Sequence, residues 1–319
     1  MLTYYVYKLH FTTPVHIGPD DGQNTLHSSA VTIHSDTLFA ALCVEASRSG
    51  NSTAVMSLIE DAQNDQVIFS DLFPFRGEKL FLPKPIISEV QVKIDQDLEN
   101  RKDYKKLHYL PIDMWKNYVQ FGKGQSKFDL DICKEMIKDI TFSDRRQRVA
   151  VTGQEDPEPY FIQAIDFNDN CGLYCVIGFG EETLRKKYEE LLIGLGWSGI
   201  GGKRSSGWGK FEIVSSNNLD VYAPDLKQMI CKETAERWVT INTSLPIETE
   251  MHTVENGRYL LCRRGGFVDH APYKKKSIYA FGPGSCFLTQ YRGEILNVAP
   301  AGRRAAYRLL KPLFLGVNL

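Results

Sequence analysis

A strand, a helix, two strands, a second helix, a glycine-rich loop and a closing strand follow one another along the first 214 residues. That βαββαβ order predicts an α+β fold built on a ferredoxin-like (RRM-like) domain. A polar break, SSNNLD and then APDLKQ, precedes a second region that opens with RWVTINTSL. The sequence thus predicts two ferredoxin-like domains face to face, 1–225 and 226–319, with an insertion at about 70–160 in the first.

The first strand is Thr3–Phe11, where alternation puts Tyr5, Tyr7, Leu9 and Phe11 on one face. A Gly/Pro/Asp-rich loop, HIGPDDGQN, follows. Ser35 and Asp36 offer capping oxygens for a helix at about 36–48, with Leu38, Phe39, Leu42, Cys43 and Ala46 as its apolar stripe. The insertion holds FLPKP, the charged ENRKDYKK, the aromatic YLPIDMWKNYVQF and the charged SDRRQRVAVTGQEDPEP, and reads as an extended projection. Residues 160–167 and 172–179 read as a strand pair around the turn NDN at 168–170. A helix is predicted over 181–193, then the glycine loop, then a strand over 208–214.

The chain has 319 residues, 43% hydrophobic and 24% charged, as expected of a globular protein with a real core. The formal net charge is −1, so any nucleic-acid binding must come from local basic patches. The N-terminus shows no signal-peptide layout, and no apolar run approaches the roughly 20 residues that cross a bilayer. The seven cysteines are scattered. Cys171 and Cys175 share one face of a strand and no second pair completes a zinc set, so reduced, buried thiols in a cytoplasmic protein without metal or cofactor are expected.

The glycine loop, GLGWSGIGGKRSSGWGKF at 194–211, has seven glycines in eighteen positions. A G-x-G-x-x-G match at Gly194, Gly196 and Gly199 is in the wrong context for a dinucleotide site, because a helix precedes it and a strand follows. A Walker A loop fails too, since Gly202-Lys203 is followed by Arg204. The remaining reading is an RNA cradle. Amides at Gly199, Gly201 and Gly202 would donate to phosphate oxygens, Lys203 and Arg204 would supply charge, and Ser205 and Ser206 hydroxyls.

This order and composition resemble the RAMP superfamily of CRISPR RNA-binding proteins, in which such a loop contacts guide RNA. HIG at 16–18, HSDTLFAAL at 34–42, FLPKP at 81–85, GRYLLCRRGGFV at 257–268, YKKK at 273–276, FGPGSCF at 281–287 and AYRLLKPLFLGV at 306–317 narrow the likeness. Together they resemble the family of fourth subunits of the Csm effector complex, type III-A CRISPR. The resemblance implies a non-catalytic subunit that binds the 5′ tag of the mature crRNA. It also implies docking of the large Cas-ten-type subunit and the third, backbone subunit, with target RNA passing near the guide's 5′ end. A β-hairpin thumb like that of the Cas-five class is expected within roughly 85–125.

Other basic segments bear on the same function. Between Val254 and Lys276 six Lys/Arg, including Arg263, Arg264, Lys274, Lys275 and Lys276, stand against Glu255 and Asp269. From Ile295 onward there are four Lys/Arg and no acid. Phe267, beside two arginines and two glycines, would serve as a stacking platform for a splayed base. Of Trp197 and Trp208, at least one is expected in the core. His16, Gly18 and Ser35 complete the expected RNA contacts. His16 or His34 as general base of a precursor-cutting ribonuclease is the alternative reading, and Asp36 reads as a helix cap rather than a cutting residue.

Overall fold

The computed structural model describes residues 1–19, 26–48, 50, 53–97, 99–150, 158–268, 271 and 273–318. The loop residues 20–24 and the stretch 151–157 singled out in the sequence therefore lie outside the described residues.

The chain opens with β1 (Thr3–Phe11), α1 (Ser35–Ser47), α2 (Ala54–Gln63), β2 (Val67–Phe69), β3 (Phe73–Arg76) and β4 (Lys79–Pro83). Next come α3 (Ser88–Gln96), α4 (Arg101–Lys106), β5 (Tyr109–Pro111), α5 (Ile112–Gly122) and α6 (Leu130–Ile137). The pair β6 (Thr141–Ala150) and β7 (Glu158–Phe167) precedes β8 (Cys171–Phe179), α7 (Glu182–Ser198), β9 (Phe211–Asn218), α8 (Leu219–Tyr222) and α9 (Pro224–Ile230). The remainder holds β10 (Arg237–Thr240), β11 (Leu261–Arg264), β12 (Ile278–Phe281), β13 (Cys286–Phe287), β14 (Ile295–Asn297), β15 (Tyr307–Leu309) and β16 (Phe314–Val317).

The result is an α+β fold with antiparallel sheets. Its main sheet has the order β5-β4-β3-β8-β1-β9, with β2 also paired to β8. The central strand CGLYCVIGF is buried along its whole length because both faces of the sheet are covered. Alternation sorts its side chains. Leu173, Cys175 and Ile177 join Tyr7, Leu9 and Phe11 in one core with α1 and α7. Tyr174 and Val176 join Tyr4 and Val6 in a second core with Trp115, Tyr118, Val239 and Leu315. Each such side chain contributes about 1.5–3 kcal/mol on burial. The second core draws on both sides of position 225.

Several expectations are corrected by non-local packing. Residues 88–122 form α3, α4 and α5 around β5, not a hairpin, and their Val90, Ile94, Tyr104, Trp115 and Tyr118 are core. The long hairpin is β6–β7 instead, ten paired residues from Thr141↔Phe167 to Ala150↔Glu158. Thus β7 pairs with β6, whereas β8 pairs with β1, β2 and β3. From Arg237 to Val317 the described residues form seven short strands, a 3-10 helix and no α-helix, so this part does not repeat the helix-bearing plan of the first. The seven cysteines form no disulfide, five of them are buried, and burial pushes the Cys175 thiol up to about 12.

Candidate nucleic-acid interface

Helix α7 does not stop where the glycines begin. It continues through Gly194 and Gly196 to Ser198, because those positions are close approaches: a Cβ at Gly194 would sit 2.9 Å from Glu45 Oε1, and one at Gly196 would strike the Phe211 carbonyl. Gly199 then ends the helix at φ +81°, its amide donating to Leu195 O at 2.7 Å. Gly201 (φ +91°) faces the His16 carbonyl, 2.6 Å from where its Cβ would lie. The Gly202 amide donates to that same oxygen at 2.7 Å, and the Gly209 amide donates to Pro14 O at 2.8 Å. What approaches these glycines is the protein's own 14–16 segment. The amides of Gly199 and Gly202, expected to meet phosphate, are thus committed to protein carbonyls.

The tip of the loop faces outward. Lys203 adopts φ +61°, a left-handed conformation costing a non-glycine residue about 1–3 kcal/mol. A short 3-10 turn, Arg204–Ser206, follows and leaves Ser205 and Ser206 exposed. The Lys203 ammonium donates to the Tyr160 hydroxyl at 3.0 Å and lies 4.9 Å from the centre of that ring. Trp208, 3% exposed, packs beneath on Ile162 and Ala164 of β7. The Arg146 and Arg148 guanidinium groups of β6 sit over its indole at 5.6 and 5.5 Å. Arg146 also pairs with Asp166 at 2.9 Å; Arg148, across from Tyr160, is exposed on this face, while Arg145, across from Gln163, is exposed on the opposite one. Loop and hairpin therefore form one basic surface.

His16 lies under this surface, 5% exposed, with its Nδ1–H donating to Gln163 O at 2.8 Å. Gly18 is exposed with open space around it. Ser35 is fully buried, its amide donating to Asp71 Oδ1 at 2.7 Å, so it has no surface from which to touch a ligand. His34 is buried too, its Nδ1 2.6 Å from Asp71 Oδ2.

Asp36 is not a cap; His34 occupies the N-cap position and Asp36 is fully buried. Its carboxylate accepts from Arg264 Nη2 at 2.9 Å and Nε at 3.2 Å, and from Arg308 Nη1. Arg264, expected on the RNA surface, thus points inward, because β11 alternates and turns its neighbour Arg263 to solvent. Burial pushes the Arg308 guanidinium down to about 10.

Arg263, Phe267, Lys274 and Lys276 are exposed and Lys275 half-buried, on a second surface. Helix α1 lies between the two surfaces: Glu45 accepts from Ser198 at the end of α7, and Asp36 holds Arg264. Among the described residues no group of histidines, cysteines and carboxylates is placed to hold a metal, and no helix is long and apolar enough to cross a membrane. Arg148, Tyr160 and the supporting role of Trp208 are not singled out by the sequence. The visible signal was SDRRQRVAV, whose length and basic residues suit a solvated strand.

Residues 233–317 match the family model described as CRISPR Csm4 C-terminal domain. The chain is 29% identical over 302 residues to the CRISPR system Cms protein Csm4 of Mycobacterium tuberculosis (strain ATCC 25618 / H37Rv), covering 93% of each. It is 29% identical over 305 residues to the protein of the same name from Streptococcus thermophilus, covering 92% of this chain and 93% of that one. Among solved structures it resembles the Csm3-Csm4 subcomplex of the type III-A CRISPR-Cas interference complex, with a TM-score of 0.68 and 19% identity over 99% of both chains. It also resembles the Csm1-Csm4 cassette in complex with AMPPNP, with a TM-score of 0.63 and 19% identity over 99% of this chain and 98% of that one. At such identity the two structures speak for the fold.

Proposed function

The chain belongs to the Csm4 family, and from that premise we propose that it holds the 5′ tag of the mature crRNA and caps that end of a type III-A Csm effector complex. The carrying observation is the junction of Lys203 with Tyr160, which joins the glycine loop to the β6–β7 hairpin as one basic surface. Lys203, Arg204 and Arg148 neutralise phosphates and release their counterions, while the Ser205 and Ser206 hydroxyls fix register without reading bases. In a chain of net charge −1 the attraction comes from local patches such as this one. The β6–β7 hairpin is the thumb beside the guide, a role supported by its ten-residue length and by the exposure of Gln147, Arg148, Val149 and Phe161.

The solved relatives contain Csm4 together with Csm1 and together with Csm3. We extend both contacts to this chain: it docks the large signalling subunit and the first backbone subunit, with target RNA passing near the guide's 5′ end. Its role is structural, not catalytic. His16 and His34 support this, since both rings are buried and engaged by protein groups instead of presented to a ribose.

The test is nuclease protection of the tag in the assembled complex. Lys203→Glu with Arg204→Glu exposes the tag while the complex still forms. Unchanged protection would make the subunit a scaffold only. Metal-free cutting of precursor crRNA by the pure chain, abolished by His16→Ala, would replace the proposal with a processing nuclease.

A further inference from the structure

The second surface is a built feature, not a scatter of lysines. Residues 265–268 and 273–276 run as two antiparallel arms. Phe267 bridges Lys274, the Lys275 amide donates to Gly266 O at 2.8 Å, and the Val268 amide donates to Tyr273 O at 3.1 Å. Phe267 is 60% exposed at the end of one arm, with the Lys274 ammonium 5.3 Å from its ring centre. Tyr273 on the other arm lies 5.2 Å from the Arg303 guanidinium. Gly266, at φ +103°, has none of the described residues other than its chain neighbours within 4 Å of where a side chain would stand.

The root of these arms is held from inside. Arg308 Nη2 donates to the Gly265 carbonyl at 2.9 Å, and the same guanidinium shares the buried Asp36 carboxylate with Arg264. Burying three charges is favourable only with good geometry, and this geometry fixes the backbone from which Phe267 projects.

We propose that these arms are a second RNA contact, distinct from the glycine loop, in which an unpaired base of single-stranded RNA stacks on Phe267 and Lys274 neutralises the adjoining phosphate. An exposed aromatic ring next to glycines and cations is the arrangement that takes a flat base without reading its sequence. An acidic protein would use the cations and leave the ring idle. The inference rests on the reading of the chain as an RNA-holding subunit and adds a site 60 residues along the sequence from the first, across α1.

The experiment places the photo-crosslinking residue p-benzoylphenylalanine at position 267 or at position 205 in the assembled complex, with crRNA and target RNA carrying different labels. Crosslinking at 267 to either RNA is the expected result, and the label identifies the strand. Crosslinking at 205 with none at 267, or at 267 to protein only, overturns the inference and leaves the tag-binding function standing. Crosslinking to RNA at 267 but not at 205 supports the inference and removes the glycine loop from the function. In parallel, Phe267→Ser lowers retention of the crosslinked strand about tenfold and Phe267→Trp preserves it; equal retention by both variants would also overturn the proposal.

Discussion

Asp71 accepts two hydrogen bonds from Thr243, 172 residues further along the chain: the amide reaches Oδ1 at 2.9 Å and the hydroxyl reaches Oδ2 at 3.0 Å. The same carboxylate takes the Ser35 amide at 2.7 Å and His34 Nδ1 at 2.6 Å. One buried side chain therefore ties the start of α1 and the entry to β3 to the segment after β10. Asp71→Ala should lower unfolding free energy in urea by about 3–5 kcal/mol, because it leaves several buried donors unpaired. Thr243→Val, which removes the hydroxyl's contacts with Asp71 and His34, should cost about 1–3 kcal/mol.

The same cluster sets an acid limit. Burial pushes the Asp71 carboxyl up, but the charge of His34 and the hydrogen bonds from His34, Ser35 and Thr243 outweigh it and leave the group below the ordinary carboxylate range. With the folded value below the unfolded value of about 3.9, its contribution is complete above that pH. The contribution is lost as pH falls through the folded value. The stability gap between wild type and Asp71→Asn should narrow below about pH 4. A gap that stays constant from pH 6 to pH 3 would refute the assignment.

Glycine substitutions should separate by what each meets. Gly201→Ala combines φ +91° with a clash on the His16 carbonyl, and should destabilise by about 1–3 kcal/mol while displacing Lys203. Gly18→Ala, with open space and no left-handed backbone, should leave the melting temperature unchanged. Calorimetry on the pair reads the difference.

The two tryptophans beside the loop should differ as sharply. Trp208→Ala removes a 3%-exposed indole and should cost about 3–5 kcal/mol. It should also speed proteolysis within β6–β7, since Arg146 and Arg148 lose their platform. Trp197 is 74% exposed, and Trp197→Ala should stay within about 0.5 kcal/mol of wild type.

Salt dependence checks the hairpin's part in tag binding. Binding of a tag-length single-stranded RNA should weaken linearly with the logarithm of salt concentration, and Arg148→Gln should reduce that slope by roughly 0.7 if it neutralises one phosphate. Lys232→Gln, whose side chain lies against Gly316 of β16 and not on the loop or hairpin, should leave the slope as it is.

Legibility followed locality. Alternation in TYYVYKLHF defined β1 to the residue, and the apolar stripe from Leu38 to Ala46 gave α1 within a residue or two. The paired orientation of Cys171 and Cys175 followed from the same period of two. The sequence misplaces the hairpin because DRRQR puts polar residues on both faces of β6 and so shows no apolar alternation. The end of α7 was placed early because Gly194 and Gly196 cost a helix about 1 kcal/mol each. The structure offsets that cost by letting Glu45 and the Phe211 carbonyl approach where side chains would stand.

The functional residues divide in the same way. Sequence alone determined that a glycine-rich, Lys-Arg-Ser-Ser loop joins a helix to a strand, and that a second run of cations and one aromatic lies near residue 267. Only the tertiary structure decided that Arg264 turns inward to Asp36 while Arg263 turns out, and that His16 and the Gly202 amide serve each other. It also decided that Arg148, across from Tyr160, stands on the hairpin face that meets Lys203. The reason is physical: a strand's period tells which residues share a face, but which face meets solvent depends on partners more than a hundred residues away.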